Sequence, residues 1–158
     1  MRLNVQTDLA LRMLIYLAAK QGSPATIQEI TQKMGLSQSH MMRVAAKLAS
    51  NGLVASSRGR GGGLSLGRDA SEITVEEVVK TMEPDYALVE CLGMDGGDCV
   101  IESACVLKGV LVSALEGFFS VLRNATLAQL VEPKLIPLAA ILNLGRPRDE
   151  SKTLQLGR

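Results

Sequence analysis

The sequence predicts a mainly α fold with a small β wing, and three observations predict it. Apolar residues recur at helical spacing in three short segments between Thr7 and Ser50, separated by glycine-bearing turns. Two short strand candidates then flank the basic run Arg58-Gly59-Arg60-Gly61-Gly62-Gly63. Finally, a long apolar segment, VLKGVLVSALEGFFSVL, follows a loop that holds all three cysteines of the chain. In this order the elements make a helix-turn-helix with a wing, followed by a long helix.

At 158 residues, 47% of them apolar, the chain can bury a real core within one domain or a small domain with an appended element. The net charge of +1 hides an asymmetry. Residues 1–68 carry nine Lys/Arg against only Asp8 and Glu29, whereas the remainder carries eight against fourteen acids. A basic front half points to a polyanionic partner. The N-terminus lacks the layout of a signal peptide, and no apolar run reaches the length of a membrane span, which implies a cytoplasmic protein. In a reducing compartment three cysteines read as metal ligands or redox thiols rather than disulfide partners.

The first helix is expected over Thr7–Lys20, with Leu11, Leu14, Ile15 and Ala18 at helical spacing and Gly22-Ser23-Pro24 ending it. Thr26 and Glu29 form a capping box for a second helix that stops at Gly35. Ser37 is placed to cap a third, Gln38 to about Ser50, whose buried stripe is Met41, Val44, Ala45 and Leu48. Met41 and Met42 together read as core filler. Gln38, Ser39, His40, Arg43 and Lys47 are left toward solvent. With strands at Leu53–Ser57 and Leu64–Leu66, the pattern is a winged helix. In such a fold the start of the third helix, here Ser37 to Arg43 with Lys47 behind, enters the major groove of double-stranded DNA. Arg58 and Arg60 of the wing then meet phosphate or the minor groove. Gln38 suits adenine and Arg43 suits guanine. A phosphate loop is the competing reading of the glycines, but no Gly-Lys-Ser/Thr follows and no helix starts there.

Thr74 and Glu77 mark a second capping box, and Val75, Val78, Val79 and Met82 continue a fourth helix up to Pro84. Residues 1–83 thus form the DNA-binding domain and residues 84–105 the cysteine loop. Cys91, Cys99 and Cys105 are separated by seven and then five residues, the longer gap filled mainly by glycine and aspartate. Three thiols on one loop look like a metal site, and no fourth cysteine or second histidine completes an ordinary zinc site. An apolar helix follows from Val106 to about Leu127. At about 21 residues it would be about 32 Å long, more than so small a domain covers by itself. Residues 106–132 are therefore expected to mediate a homodimer, which would set two reading helices about 34 Å apart on a palindromic operator. Pro133, Pro137 and Pro147 predict a flexible tail over 133–158. Asp8 reads locally as a first-turn acid with Arg12 its i,i+4 partner.

The segments MRLNVQTDLALRMLIYLA, SQSHMMRVAAKLASNGLV, RGRGGGLSLG and CVLKG…ATLAQLVE occur in an order that, over about residues 1–132, resembles the IscR/RirA/NsrR family of bacterial winged-helix iron–sulfur regulators. The likeness is greatest to its nitric-oxide-responsive repressors. It implies a transcriptional repressor of nitrosative-stress genes, not an enzyme, that loses operator affinity when its cluster reacts with nitric oxide or is lost. In that type three loop cysteines hold a 4Fe-4S cluster, and a first-helix aspartate of the other subunit is the fourth ligand. The matching residues are Cys91, Cys99, Cys105 and Asp8 of the partner subunit. Arg12 matches a residue lying beside the cluster. IscR-like members use a histidine three residues after the last cysteine, where this chain has Lys108. The Cys91–Cys99 gap is longer than usual for the nitric-oxide-responsive type, so the Gly96-Gly97 region is expected to bulge outward. Two alternatives stand beside this reading. One is a regulator of the same fold answering iron or cluster supply or redox state, with a 2Fe-2S cluster. The other is an iron–sulfur electron carrier, for which the chain shows no flavin or nicotinamide motif and which leaves the basic wing unexplained.

Overall fold

The computed structural model describes residues 2–93 and 96–144 as a mainly helical chain with one two-stranded antiparallel sheet. Helix α1 (Val5–Ala19) starts two residues before the predicted point because Asn4 caps it, its side chain accepting from the Thr7 N–H at 3.0 Å. Leu9, Ala10, Met13, Leu14, Tyr16 and Leu17 are buried along it, making α1 the central element of the core. Helix α2 (Ile27–Met34) is capped by Thr26 and ends where Gly35 takes the left-handed conformation at φ 63°. Glu29 does not complete the expected reciprocal box. Its carboxylate accepts instead from the Tyr16 hydroxyl at 2.9 Å and the Lys20 ammonium at 2.7 Å, tying α2 to α1. Burial, and then the bond to Glu29, push the Tyr16 phenol pKa well up.

Helix α3 (Gln38–Ser50) buries Met41, Val44, Ala45 and Leu48, as the periodicity predicts. Ser37 precedes it with extended backbone but makes no capping bond; its hydroxyl is paired with that of Ser39 at 3.1 Å. Strands β1 (Val54–Ser57) and β2 (Gly63–Leu66) pair from Val54 opposite Leu66 to Ser57 opposite Gly63. The root of this wing is bolted to the α1–α2 connection, for Ala25 and Leu64 exchange N–H···O bonds of 2.9 and 2.8 Å. Gly63 must be glycine there, since a Cβ would stand 2.8 Å from the Ala25 carbonyl oxygen.

Helix α4 (Val75–Met82) is capped by Thr74, while Glu77 turns to an ion pair with Arg68. Helix α5 (Val106–Arg123) is shorter than predicted. Its 18 residues span about 27 Å and end at Asn124. The chain then turns, because residues 73–75 and 125–127 pair edge to edge: the Val75 N–H donates to the Ala125 carbonyl at 2.8 Å and that of Leu127 to Ile73 at 3.0 Å. Helix α6 (Leu127–Val131) opens with a complete capping box of Thr126 and Gln129 and inserts Leu127 fully into the core. The tail predicted to be flexible from residue 133 instead forms helix α7 (Leu135–Ile141), anchored by the buried Ala139 and Leu142. Pro137 lies in the first turn of α7, where a proline ring displaces no helical hydrogen bond. Residues 145–158 of that predicted tail lie outside the described residues.

Two hydrophobic clusters result. The larger joins α1, α3, the wing root, α4 and Leu127; the smaller packs Val75 and Val79 of α4 on Phe119 of α5. Glu76, 8% exposed, clamps the second cluster. Arg123 grips its carboxylate with two bonds of 2.7 and 2.9 Å, and Lys80 adds a third contact at 2.8 Å. Those bonds, from Arg123 first and Lys80 second, hold its pKa down at about 2, against an ordinary 4.5. No helix among the described residues is long and apolar enough to cross a membrane.

Two outcomes follow for stability. Leu48→Ala, at a fully buried position, should cost about 2–5 kcal/mol in urea denaturation. Glu76 has a folded pKa below its unfolded one, so its charge stabilises above pH 4.5 and that contribution disappears as pH falls toward 2. The melting-temperature gap between wild type and Glu76→Gln should therefore be full at neutral pH and close through the acid range.

Candidate cysteine site and nucleic-acid interface

Past α4 the chain leaves the helix at Glu83 in extended conformation and runs into the cysteine segment. Cys91 sits on a short 3-10 turn, Glu90–Leu92; a second turn, Glu102–Ala104, delivers Cys105 to the position just before α5. All three thiols are free, Cys99 exposed and the other two half-buried. They line one open cavity of about 530 Å³ whose apolar wall includes Val89, Ile101, Leu107 and Leu111. Of the Gly96-Gly97 region expected to bulge outward, Gly96 is exposed but Gly97 lines the cavity. Gly97 folds against Cys91, with a Cβ there coming within 3.3 Å of the Cys91 nitrogen, and Gly96 reaches this turn at φ 64°.

Lys108, at the mouth of the same cavity, is ion-paired with Glu102. That carboxylate, and to a lesser degree the Cys91 and Cys105 sulfurs, push its pKa up. Among the described residues no three His, Cys, Asp or Glu side chains are drawn together around a single ion. Soft thiol donors spaced round an open cavity suit a polynuclear iron group better than one closed zinc site. Asp8 does not line the cavity. It stands half-exposed on the first turn of α1, where Arg12 holds its carboxylate through Nε at 3.1 Å and Nη2 at 2.8 Å.

The residues predicted to meet DNA divide into two groups. Gln38, Ser39, His40 and Arg43 are exposed on the first half of α3, and Arg58 and Arg60 are exposed at the wing tip, where Gly59 and Gly61 turn the backbone at φ 101° and 84°. Among the described residues neither wing arginine has an ion-pair partner. Lys47 differs. Its ammonium donates to the Met82 carbonyl at 3.4 Å, drawing it to the end of α4. Met42 differs from expectation too, being 55% exposed beside the buried Met41.

Sequence reasoning missed the node at the end of α4. The Glu83 carboxylate accepts from the Asn4 N–H at 2.9 Å, the Asn4 amide at 3.0 Å and the Thr7 hydroxyl at 2.5 Å. The Met82 carbonyl accepts from Asn4 at 3.3 Å as well as from Lys47. The visible signal was an acid closing an amphipathic helix just before Pro84, which specifies no partner.

A helix-turn-helix with exposed polar side chains and a basic hairpin beside it define a winged-helix DNA-binding regulator rather than an enzyme. The solved structure of CymR, the global cysteine regulator of Bacillus subtilis, matches with a TM-score of 0.65 at 26% identity, covering 84% of this chain and 98% of that one. The chain belongs to the Rrf2 family of iron-dependent transcriptional regulators, whose model matches residues 3–133. It is 42% identical over 135 residues to the HTH-type transcriptional regulator NsrR of Bacillus subtilis strain 168, covering 85% of this chain and 92% of that protein. With NsrR of Oceanobacillus iheyensis it shares 39% identity over 144 residues, or 89% and 98% of the two chains.

The unequal exposure of the thiols predicts their order of reaction. In iron-free reduced protein, limiting iodoacetamide should modify Cys99 before Cys91 and Cys105, as read by peptide mass spectrometry.

Proposed function

We propose that this chain is a repressor that responds to nitric oxide through a 4Fe-4S cluster, held by Cys91, Cys99 and Cys105 of one subunit and Asp8 of the partner subunit in a homodimer on a palindromic operator. The observation that carries the reading is the opening of all three thiols onto one cavity. When bound there, the cluster supplies iron that a small diatomic can attack. The three cysteines anchor it through soft sulfur. Asp8 offers a harder and more easily displaced oxygen, and Arg12 gives that carboxylate a resting partner on its own helix.

The chain's own bonds carry the response onward. Glu83 fastens the first turn of α1, which bears Asp8, to the root of the cysteine loop, and Lys47 fastens the recognition helix to the same point. A shift of the loop therefore reaches α1 and α3 together. A 100-fold change in operator affinity needs about 2.7 kcal/mol of coupling, within the ordinary allosteric range.

A second reading, control by iron or cluster supply with a 2Fe-2S group, is favoured by the family's description as iron-dependent. Operator binding by anaerobically prepared protein, titrated separately with nitric oxide, oxygen and an iron chelator, separates the two. Release by stoichiometric nitric oxide is expected; release by chelation alone, with nitric oxide inert, would establish the second. Changing any one of the three cysteines to Ala should abolish iron retention, whereas Asp8→Ala should leave a cluster of altered lability, followed by its visible absorption. Arg58→Ala and Arg60→Ala should each lower the slope of log affinity against log salt by about 1 without altering sequence preference.

A further inference from the structure

The exposed face of α3 carries one side chain that neither the core nor the polar chemistry of the site explains. At about 100° per residue, the buried stripe of Met41, Val44, Ala45 and Leu48 leaves Met42 on the outer surface. There it follows Gln38 by one turn and adjoins Arg43, in the half of the helix that enters a major groove. More than half of its surface is open to water, and it belongs to neither hydrophobic cluster. Lys47 stands about 140° further round, on the flank held to α4, and Met42 lies on the other side of the exposed face. A half-bare thioether among exposed polar groups has no place in the packed core, yet it is unbranched and adaptable. The major groove offers one apolar feature for it to cover, the 5-methyl group of thymine.

We infer that Met42 is a specificity-determining residue that packs on a thymine methyl group in each half-site. This inference rests on the DNA-reading function of the fold and adds a base to those read by Gln38 and Arg43.

The test uses the full-length, cluster-loaded protein. Duplexes selected by wild type from a random pool give the half-site, and each thymine in it is then replaced singly by deoxyuridine, which removes only the methyl. Wild type should lose affinity at one thymine per half-site by about fourfold, the worth of one buried methyl group. Met42→Ala should bind the thymine and deoxyuridine duplexes equally, Met42→Leu should restore the discrimination, and Arg58→Ala should retain it while the salt slope falls by about 1. Equal sensitivity in Met42→Ala and wild type, or indifference of wild type to every thymine methyl, would overturn the inference. Failure of wild type to select any sequence would instead remove the DNA-reading function itself, and the inference with it.

Discussion

The hydrogen bonds gathered on Met82 and Glu83 join the half of the molecule that reads to the half that carries the thiols. The end of α4 exposes carbonyls with a partial negative charge, and the start of α1 exposes amides with a partial positive one. The fold sets these two ends together. Glu83, whose charge is disfavoured at the end of its own helix, lies at the N-terminus of α1 and takes up the N–H of Asn4 and the hydroxyl of the fully buried Thr7. The Lys47 ammonium meets the Met82 carbonyl, the kind of cation that a helix C-terminus favours. Bonds to charged groups of this sort are each worth about 1.5–3 kcal/mol, large against the few kcal/mol that regulation requires.

Helix α4 therefore anchors both the start of the cysteine segment and the helix that follows it. Its last residues fix the point from which the segment departs, and Glu76 near its first turn fixes the far end of α5 through Arg123. The segment itself, among its described residues, has two short 3-10 turns and adds no residue to either hydrophobic cluster. Strain imposed at its start acts on helix ends that are charge-paired rather than on a hydrophobic interior.

What the sequence made legible was local. Thr26, Gly35 and Thr74 announce their helix boundaries because each acts within one turn, and the α3 stripe follows from spacing alone. The errors arose where distant chain decided. Glu29 and Glu77 left their capping boxes for Lys20 and Arg68, partners that only packing brings near. The long helix was extended past Arg123 because Leu127 continues the apolar pattern, although Thr126 and Gln129 signal a new start within it. Met41 and Met42 have the same composition and opposite environments, a difference of helical phase that a reading by residue type overlooks. In the candidate site the three cysteines were found from spacing, but the inward fold of Gly97 and the Lys108–Glu102 pair were not.

The distribution of apolar surface on α5 ties these parts to the proposed dimer. Toward its C-terminal half the helix packs on α4 through Leu115, Phe118, Phe119 and Leu122, so that face is covered within one chain, while Val121 on the other face stays open to water. Toward its start Val106, Leu107 and Val110 are open to water, and this bare stretch begins at the residue after Cys105. At about 25 cal/mol per Å², covering such side chains is favourable, and whatever covers them must lie beside the cysteine cavity. A second copy seated there by a twofold axis would bring its own helices against that cavity. A ligand supplied across the interface, as proposed for Asp8, would then be available only in the assembled dimer. Dimer geometry and occupancy of the thiol site would be a single equilibrium, and the separation of the two reading helices would follow from it.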